Sequence, residues 1–325
     1  MWKKRTLWLL KFLVGIGLVL VLYRHINQRQ AIEQAFATAN WVNVAIALIL
    51  LLPNFFFQFL KWRYLLRHRY PEMPGRPAFQ SLLFGATLGF VTPGNLGELA
   101  RALFFEKYNR YVIAGLNVID KIFNLLIFTT FGLVALNVYI LWYFRLSYYV
   151  ALPIAVLSVL LLFFLWLVAL HPQWVRSFLY GINTMLTSRE KIKSFISCLD
   201  EFQSRHSLHM ALLTTAWFFM IILQYHALLL AFTNVEFYQT FLGVSALLVT
   251  KMMLPISFGD LGIREGGAVF YFSYLGIPAA AAFNAAILIF VINFFIPALA
   301  GSWFVFKLKW EFRSKTRKSG EGRKR

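Results

Sequence analysis

Charged side chains set into apolar stretches are where this chain can do chemistry, and most of them fall in two related motifs. The first is TPGNLGELAR at Thr92–Arg101 and the second is SFGDLGIREG at Ser257–Gly266. Each sets a glycine, an Asn or Asp and then Leu-Gly beside an acidic and a basic residue. Both lie in stretches apolar enough to be membrane-embedded, where broken helices and unpaired polar groups are costly. A duplicated interruption of this kind points to a binding site at the middle of a fold made of inverted repeats.

In the first motif, Thr92 and Pro93 end one half-helix, Gly94 permits the turn and Asn95 caps the next half-helix. The free N–H groups at such an N-terminus suit a phosphate or a carboxylate. Glu98 and Arg101 have the spacing to pair on one helical side. In the second motif, Pro255 and Gly259 break the helix around Ser257, Asp260 is its cap and Gly262 allows close backbone approach. Arg264 and Glu265 are neighbours in sequence, so each is expected to reach across the fold rather than to pair with the other.

Further charges point to the same place. Asp120 and Lys121 lie about nine residues into another apolar run, roughly 13–15 Å deep, and Lys251 precedes Pro255. The acids Glu98, Asp120, Asp260 and Glu265 balance Arg101, Lys121, Lys251 and Arg264, so the set can pair without a large uncompensated charge. With Thr92, Gly94, Asn95 and Ser257 they make the candidate substrate-binding set. The alternative role is a polar staple between helices. Asn117 and Asn124 share a helical face near Asp120, and His226 reads as a helix–helix hydrogen-bonding residue. The histidines show no metal-ligand spacing, and the single Cys198 leaves no intramolecular disulfide or thiolate cluster. No cofactor and no catalytic residue is expected.

The elements that must hold these residues are membrane helices. At 325 residues, with 60% apolar and 18% aromatic content and a mean hydropathy of +0.66, the chain is an all-α polytopic membrane protein. Its net charge of +19 is concentrated at Lys3–Arg5, Lys61–Arg76, Arg176–Arg205 and Lys307–Arg325. That asymmetry places both termini in the cytoplasm of an inner-membrane protein. The basic tail suits anionic headgroups and carries no nucleic-acid-binding module. Candidate spans are Thr6–Tyr23 (an uncleaved signal-anchor), Trp41–Leu60, Tyr111–Tyr143, Tyr148–Leu170, Leu208–Ala231 and Ile277–Phe306.

The charge rule makes the motif segments, Ala78–Phe105 and Phe237–Leu275, re-entrant hairpins from opposite faces. The expected architecture is thus about six full spans plus two broken hairpins in an inverted repeat; the alternative is about eight spans. One transmembrane domain covers 1–306, with repeat halves near 41–170 and 208–306 and a disordered basic tail at 307–325. Between the halves, 172–207 should form a cytoplasmic amphipathic segment whose Ile192, Phe195, Leu199 and Phe202 recur at helical spacing on the membrane surface.

The ordered motifs, TPGNLGELARA early and LPISFGDLGIREGG late with NVIDKIF at Asn117–Phe123 between them, resemble the lysylphosphatidylglycerol synthase transmembrane-region family of flippase-like membrane proteins. The resemblance runs from about Trp8 to Phe306. It implies a membrane domain that handles lipid headgroups, with flipping of aminoacylated phospholipids in its best-known members. It places Glu98, Arg101, Arg264 and Glu265 at charged motif positions, and Lys121 stands where the family pattern suggests arginine. The sequence carries no soluble aminoacyl-transferase domain, so synthesis of lysyl-phosphatidylglycerol is not expected of it. The resulting expectation is a non-enzymatic translocator of anionic or aminoacylated lipid headgroups. A non-catalytic partner of a separate transferase and a membrane-embedded headgroup transferase are the alternatives.

Overall fold

A computed structural model describes residues 17, 20–21, 23–24, 29–92, 96–105, 107–184, 189–200, 202–253 and 260–306. Their regular structure is all helical, with no strand among the described residues. In order they form α1 (Arg29–Ala37), α2 (Trp41–Ile49), α3 (Leu51–Arg69), α4 (Gly75–Phe90) and a 3₁₀ segment (Leu96–Phe104). Next come α5 (Arg110–Val138), α6 (Tyr148–Leu170), α7 (Pro172–Thr184), α8 (Arg189–Ile196) and α9 (Ser204–Phe232). The chain closes with α10 (Phe237–Met253), α11 (Ile263–Tyr274) and α12 (Ala279–Phe290).

Five helical stretches are long and apolar enough to cross a membrane: Trp41–Arg69, Arg110–Tyr143, Tyr148–Leu170, Ser204–Leu230 and Ala279–Phe306. The expected Thr6–Tyr23 span and the basic tail lie largely or wholly outside the described residues. Helix α6 is apolar all the way round, and Leu152, Leu157, Leu160, Phe163 and Phe164 stay exposed on it. A helix with no polar face and little protein contact belongs against lipid.

Each motif segment folds back on itself. In the first, Gly85 lies against Arg101, Gly89 against Glu98 and Gly97 against Leu88, the falling register of an antiparallel pair. In the second, Gly243 meets Phe272 and Gly267 meets Leu247 in the same sense. Both segments therefore return to the end of the bundle they started from, as helical hairpins.

Helix α5 shows that the two ends are opposite. Near its start Asn117 donates to the Glu98 carbonyl at 2.7 Å. Further along, Gly132 packs on Val249 of α10. Beyond its end, the Tyr139 hydroxyl donates to the Tyr271 carbonyl at 3.0 Å, and Phe144 meets Tyr274 at 4.9 Å. The first hairpin thus has its base beside Arg69 and Arg110, and the second has its base beside Phe144. Their tips converge inside.

The segment after α7 departs from expectation. Its helix breaks after Ile196 into a 3₁₀ turn at Ser197–Leu199, and Ile196, Cys198 and Phe202 are buried. Gly115 of α5 sits against the Phe195 carbonyl and the Cys198 sulfur, while Phe202 meets Phe123 at 6.3 Å. The end of the apolar stripe, Leu199 and Phe202, packs on the protein core, while Ile192 and Phe195 stay half-buried. Helical periodicity reports an apolar face, and either partner satisfies it. The exposed apolar stripe is instead on α7, at Trp174, Phe178 and Ile182.

Burial pushes the Cys198 thiol up to about 12, which leaves almost no thiolate at neutral pH. Maleimide should therefore label Cys198 slowly in the folded protein and rapidly once it is unfolded. Without a hydrophobic drive between helices in lipid, close backbone approach carries much of the packing. A Cβ at Gly97 would fall 2.0 Å from the Leu88 carbonyl oxygen, while one at Gly181 meets nothing within 4 Å. Gly97→Ala should cost about 1–3 kcal/mol and lower the melting temperature in detergent. Gly181→Ala should leave that temperature unchanged or raise it.

Candidate functional site

The tips of both hairpins and helices α3, α5, α9 and α12 line a cavity of about 570 Å³ in which charged and amide side chains are set among apolar ones. Its first wall is built from α3. Asn54, Gln58 and Lys61 recur at one helical face, and all three line the cavity. Lys61 is only 2% exposed. Its ammonium lies 3.0 Å from Asp120 Oδ1, hydrogen-bonds Asn124 Oδ1 and sits 4.7 Å from the centre of the Trp217 ring.

From Asp120 the charges run on into the first hairpin. Arg101 Nη1 lies 3.5 Å from Asp120 Oδ2, and Arg101 Nη2 lies 3.0 Å from Glu98 Oε2. Lys121 pairs with the same Glu98 oxygen. The Arg101 guanidinium stands 5.5 Å over Trp62, whose indole N–H donates to Ser81 Oγ at 2.8 Å. The result is one chain, Lys61–Asp120–Arg101–Glu98–Lys121, joining α3, α5 and the hairpin. Lys121, with 35% of its side chain exposed, is its least buried member.

The second wall belongs to the other hairpin. Lys251 Nζ lies 2.8 Å from Asp260 Oδ2. Arg264 turns two guanidinium nitrogens, at 2.8 and 3.1 Å, onto Glu265 Oε1. Glu265 Oε2 in turn accepts the Gly262 N–H at 2.6 Å. The backbone there is left-handed at both Asp260 (φ 59) and Gly262 (φ 85), which suits the glycine and is tolerated by Asp. Phe290 and Phe294 cover the Arg264 guanidinium at 4.6 and 5.4 Å.

Between the walls runs an uncharged network. Gln224 Oε1 accepts from Asn54 at 2.5 Å and from Asn293 at 2.8 Å, and Trp217 donates to Asn54 at 2.8 Å. Among the described residues no three His, Cys, Asp or Glu side chains gather to hold a metal ion.

Of the residues singled out from sequence, Glu98, Arg101, Asp120, Lys121, Lys251, Asp260 and Arg264 line this cavity. Glu265 is fully buried behind Arg264. Thr92 is not on the wall; its hydroxyl accepts the Gly97 N–H at 2.6 Å and donates to the Leu88 carbonyl at 2.9 Å, closing the hairpin. Gly94, Asn95 and Ser257 lie outside the described residues, as do Pro93, Pro255 and Gly259.

Two expectations are corrected. Arg264 and Glu265 do pair, because Glu265 curls back to the Gly262 N–H and so brings its carboxylate beside the guanidinium. Asp260 does not cap α11: its carboxylate goes to Lys251, and the first turn is closed by Glu265. Lys61, at the head of the basic run Lys61–Arg76, belongs to the cavity wall, and the polar spacing of Asn54, Gln58 and Lys61 is the sequence signal that marks it. Trp217, Tyr225 and Asn293 are further wall residues that carry no such signal.

A bundle of membrane-length helices with two opposed hairpins and a buried charged cavity defines a polytopic helical membrane protein with an internal polar site. The chain belongs to the family described as the lysylphosphatidylglycerol synthase TM region, whose pattern matches residues 8–301. No curated protein and no solved structure matches it.

Breaking a buried pair by removing one partner typically costs about 3–5 kcal/mol. Asp120→Asn leaves Lys61 without an ion pair and Arg101 with Glu98 alone, whereas Lys61→Met leaves Asp120 its Arg101 contact. Asp120→Asn should therefore lower the melting temperature in detergent more than Lys61→Met does. Adding Lys61→Met to Asp120→Asn should recover part of the loss.

Proposed function

We propose that this protein moves lipids with anionic headgroups across the inner membrane, with the headgroup in the central cavity and the acyl chains in the bilayer. The observation that carries this reading is a charge imbalance. Lys61, Arg101, Lys121, Lys251 and Arg264 are five cations, and Glu98, Asp120, Asp260 and Glu265 are four anions, which leaves one positive charge over. An uncompensated charge inside a membrane bundle is expensive. A phosphodiester supplies the missing negative charge, and a lysylated headgroup of net positive charge does not.

A polar staple alone would explain the pairs, but it needs neither the open volume nor the extra cation. Family membership supports a lipid-related membrane role. The positive-inside pattern supports cytoplasmic termini, because Arg67, Arg69, Arg76, Lys107, Arg110 and Arg205 gather at the end that holds the base of the first hairpin. Membrane lipids are the partners of this reading. Movement would be passive or ion-coupled.

The test is transbilayer movement of labelled phosphatidylglycerol, lysyl-phosphatidylglycerol and phosphatidylcholine in liposomes containing the purified protein. Phosphatidylglycerol should move fastest, and Glu98→Gln/Arg101→Ala should slow it by about tenfold or more. Equal movement by both proteins, or preference for the lysylated lipid, would overturn the assignment.

A further inference from the structure

Two hydrogen-bond donors on the cavity wall, one on α9 and one on the second hairpin, are not used by the protein itself. Tyr225 and Arg264 are each 2% exposed, and both line the cavity. Neither the Tyr225 hydroxyl nor Arg264 Nη1 has a hydrogen-bond partner among the described residues. The other two guanidinium nitrogens of Arg264 are committed to Glu265. A buried donor left unsatisfied costs about 1–3 kcal/mol, and native structures keep few of them. A phenylalanine would fill the same space as Tyr225 without that cost.

We infer that the Tyr225 hydroxyl and Arg264 Nη1 form a station for a phosphate oxygen, separate from the Lys61–Asp120–Arg101–Glu98–Lys121 chain. The ligand atom must be an acceptor, since arginine nitrogens only donate and the Tyr225 O–H is free to do so. The pairs around this station are locally neutral: Arg264 with Glu265 and Lys251 with Asp260. The excess cation resides in the first chain, where Lys61, Arg101 and Lys121 face Glu98 and Asp120. A phosphodiester is thus held by net charge at the Lys61–Lys121 chain and by directed hydrogen bonds where Tyr225 of α9 faces the cavity with Arg264 of the second hairpin. Two stations of unequal strength on one cavity define a path, and this inference rests on the translocator reading for its direction only.

Tyr225→Phe isolates the station because it removes only the unpartnered hydroxyl. Binding of dihexanoyl phosphatidylglycerol and, separately, of inorganic phosphate would be measured on the full chain in detergent, beside lipid movement in liposomes. The variant should bind about five- to tenfold more weakly, with a ligand-free melting temperature equal to or above wild type. The probe that shows the loss tells whether the anion is a lipid headgroup or free phosphate. Unchanged affinity for both probes, or no binding of either to wild type, overturns the station and leaves water as the only occupant of those donors. A lower ligand-free melting temperature overturns it too, by assigning the hydroxyl to packing. If wild type moves no lipid yet Tyr225→Phe loses binding, the station stands and the translocator reading falls. If movement persists and binding is unchanged in the variant, the station alone falls.

Discussion

A carboxylate in the middle of a membrane bundle must be neutralised or the bundle opens, and Asp120 is where this chain meets that demand. It holds Lys61 from α3 on one side and Arg101 from the first hairpin on the other. Arg101 then orders Glu98, and Glu98 orders Lys121, which returns the chain to α5. Removing water strengthens each attraction and also raises the cost of leaving any member alone. The positions of α3, α5 and the first hairpin are therefore one coupled decision. The 3₁₀ segment, with its poorer internal hydrogen bonding, is tolerable because Thr92 takes the Gly97 N–H and Asn117 takes the Glu98 carbonyl.

The second hairpin is held differently. Both of its ion pairs, Lys251 with Asp260 and Arg264 with Glu265, are internal to it. Its ties to the rest are packing contacts, Gly132 on Val249 and Phe290 and Phe294 over Arg264 among them, together with the Tyr139 bond at its base. Shifting its tip against the bundle breaks no ion pair among the described residues. Shifting the first hairpin parts Arg101 from Asp120 and Glu98 from Lys121. The electrostatics thus divide the cavity into a wall tied to the bundle by ion pairs and one tied to it by packing.

Much of this was legible in the sequence, because glycines and charges in apolar runs have few benign explanations. The hairpins and their opposed bases follow from motif duplication plus loop charge, and the Glu98–Arg101 pair follows from helical spacing. Lys61 was hidden by its neighbours. Arg63, Arg67 and Arg69 follow it so closely that the run reads as a cytoplasmic loop, although Asn54 and Gln58 share its face. The Arg264–Glu265 pair was hidden because neighbour rules assume that side chains project outward, whereas Glu265 folds back onto the start of its own helix. The stripe ending at Phe202 was visible, but whether α5 or lipid would cover it was not, since both are apolar.

Ion pairs that fill a site do not close it to a ligand when one member can be exchanged cheaply. Glu98 Oε2 is shared by Arg101 and Lys121, so neither cation has a carboxylate to itself. Lys121 keeps a third of its side chain exposed, and Leu125, on the same wall, is half exposed. Lys121 therefore loses the least hydration and the least pairing when it turns from Glu98 to an incoming phosphate. Arg101 then keeps Glu98 whole, and the net charge of the group falls from one positive to none. On the proposed reading this exchange explains how a cavity that holds three buried cations and two partly exposed ones can accept an anion without opening the bundle.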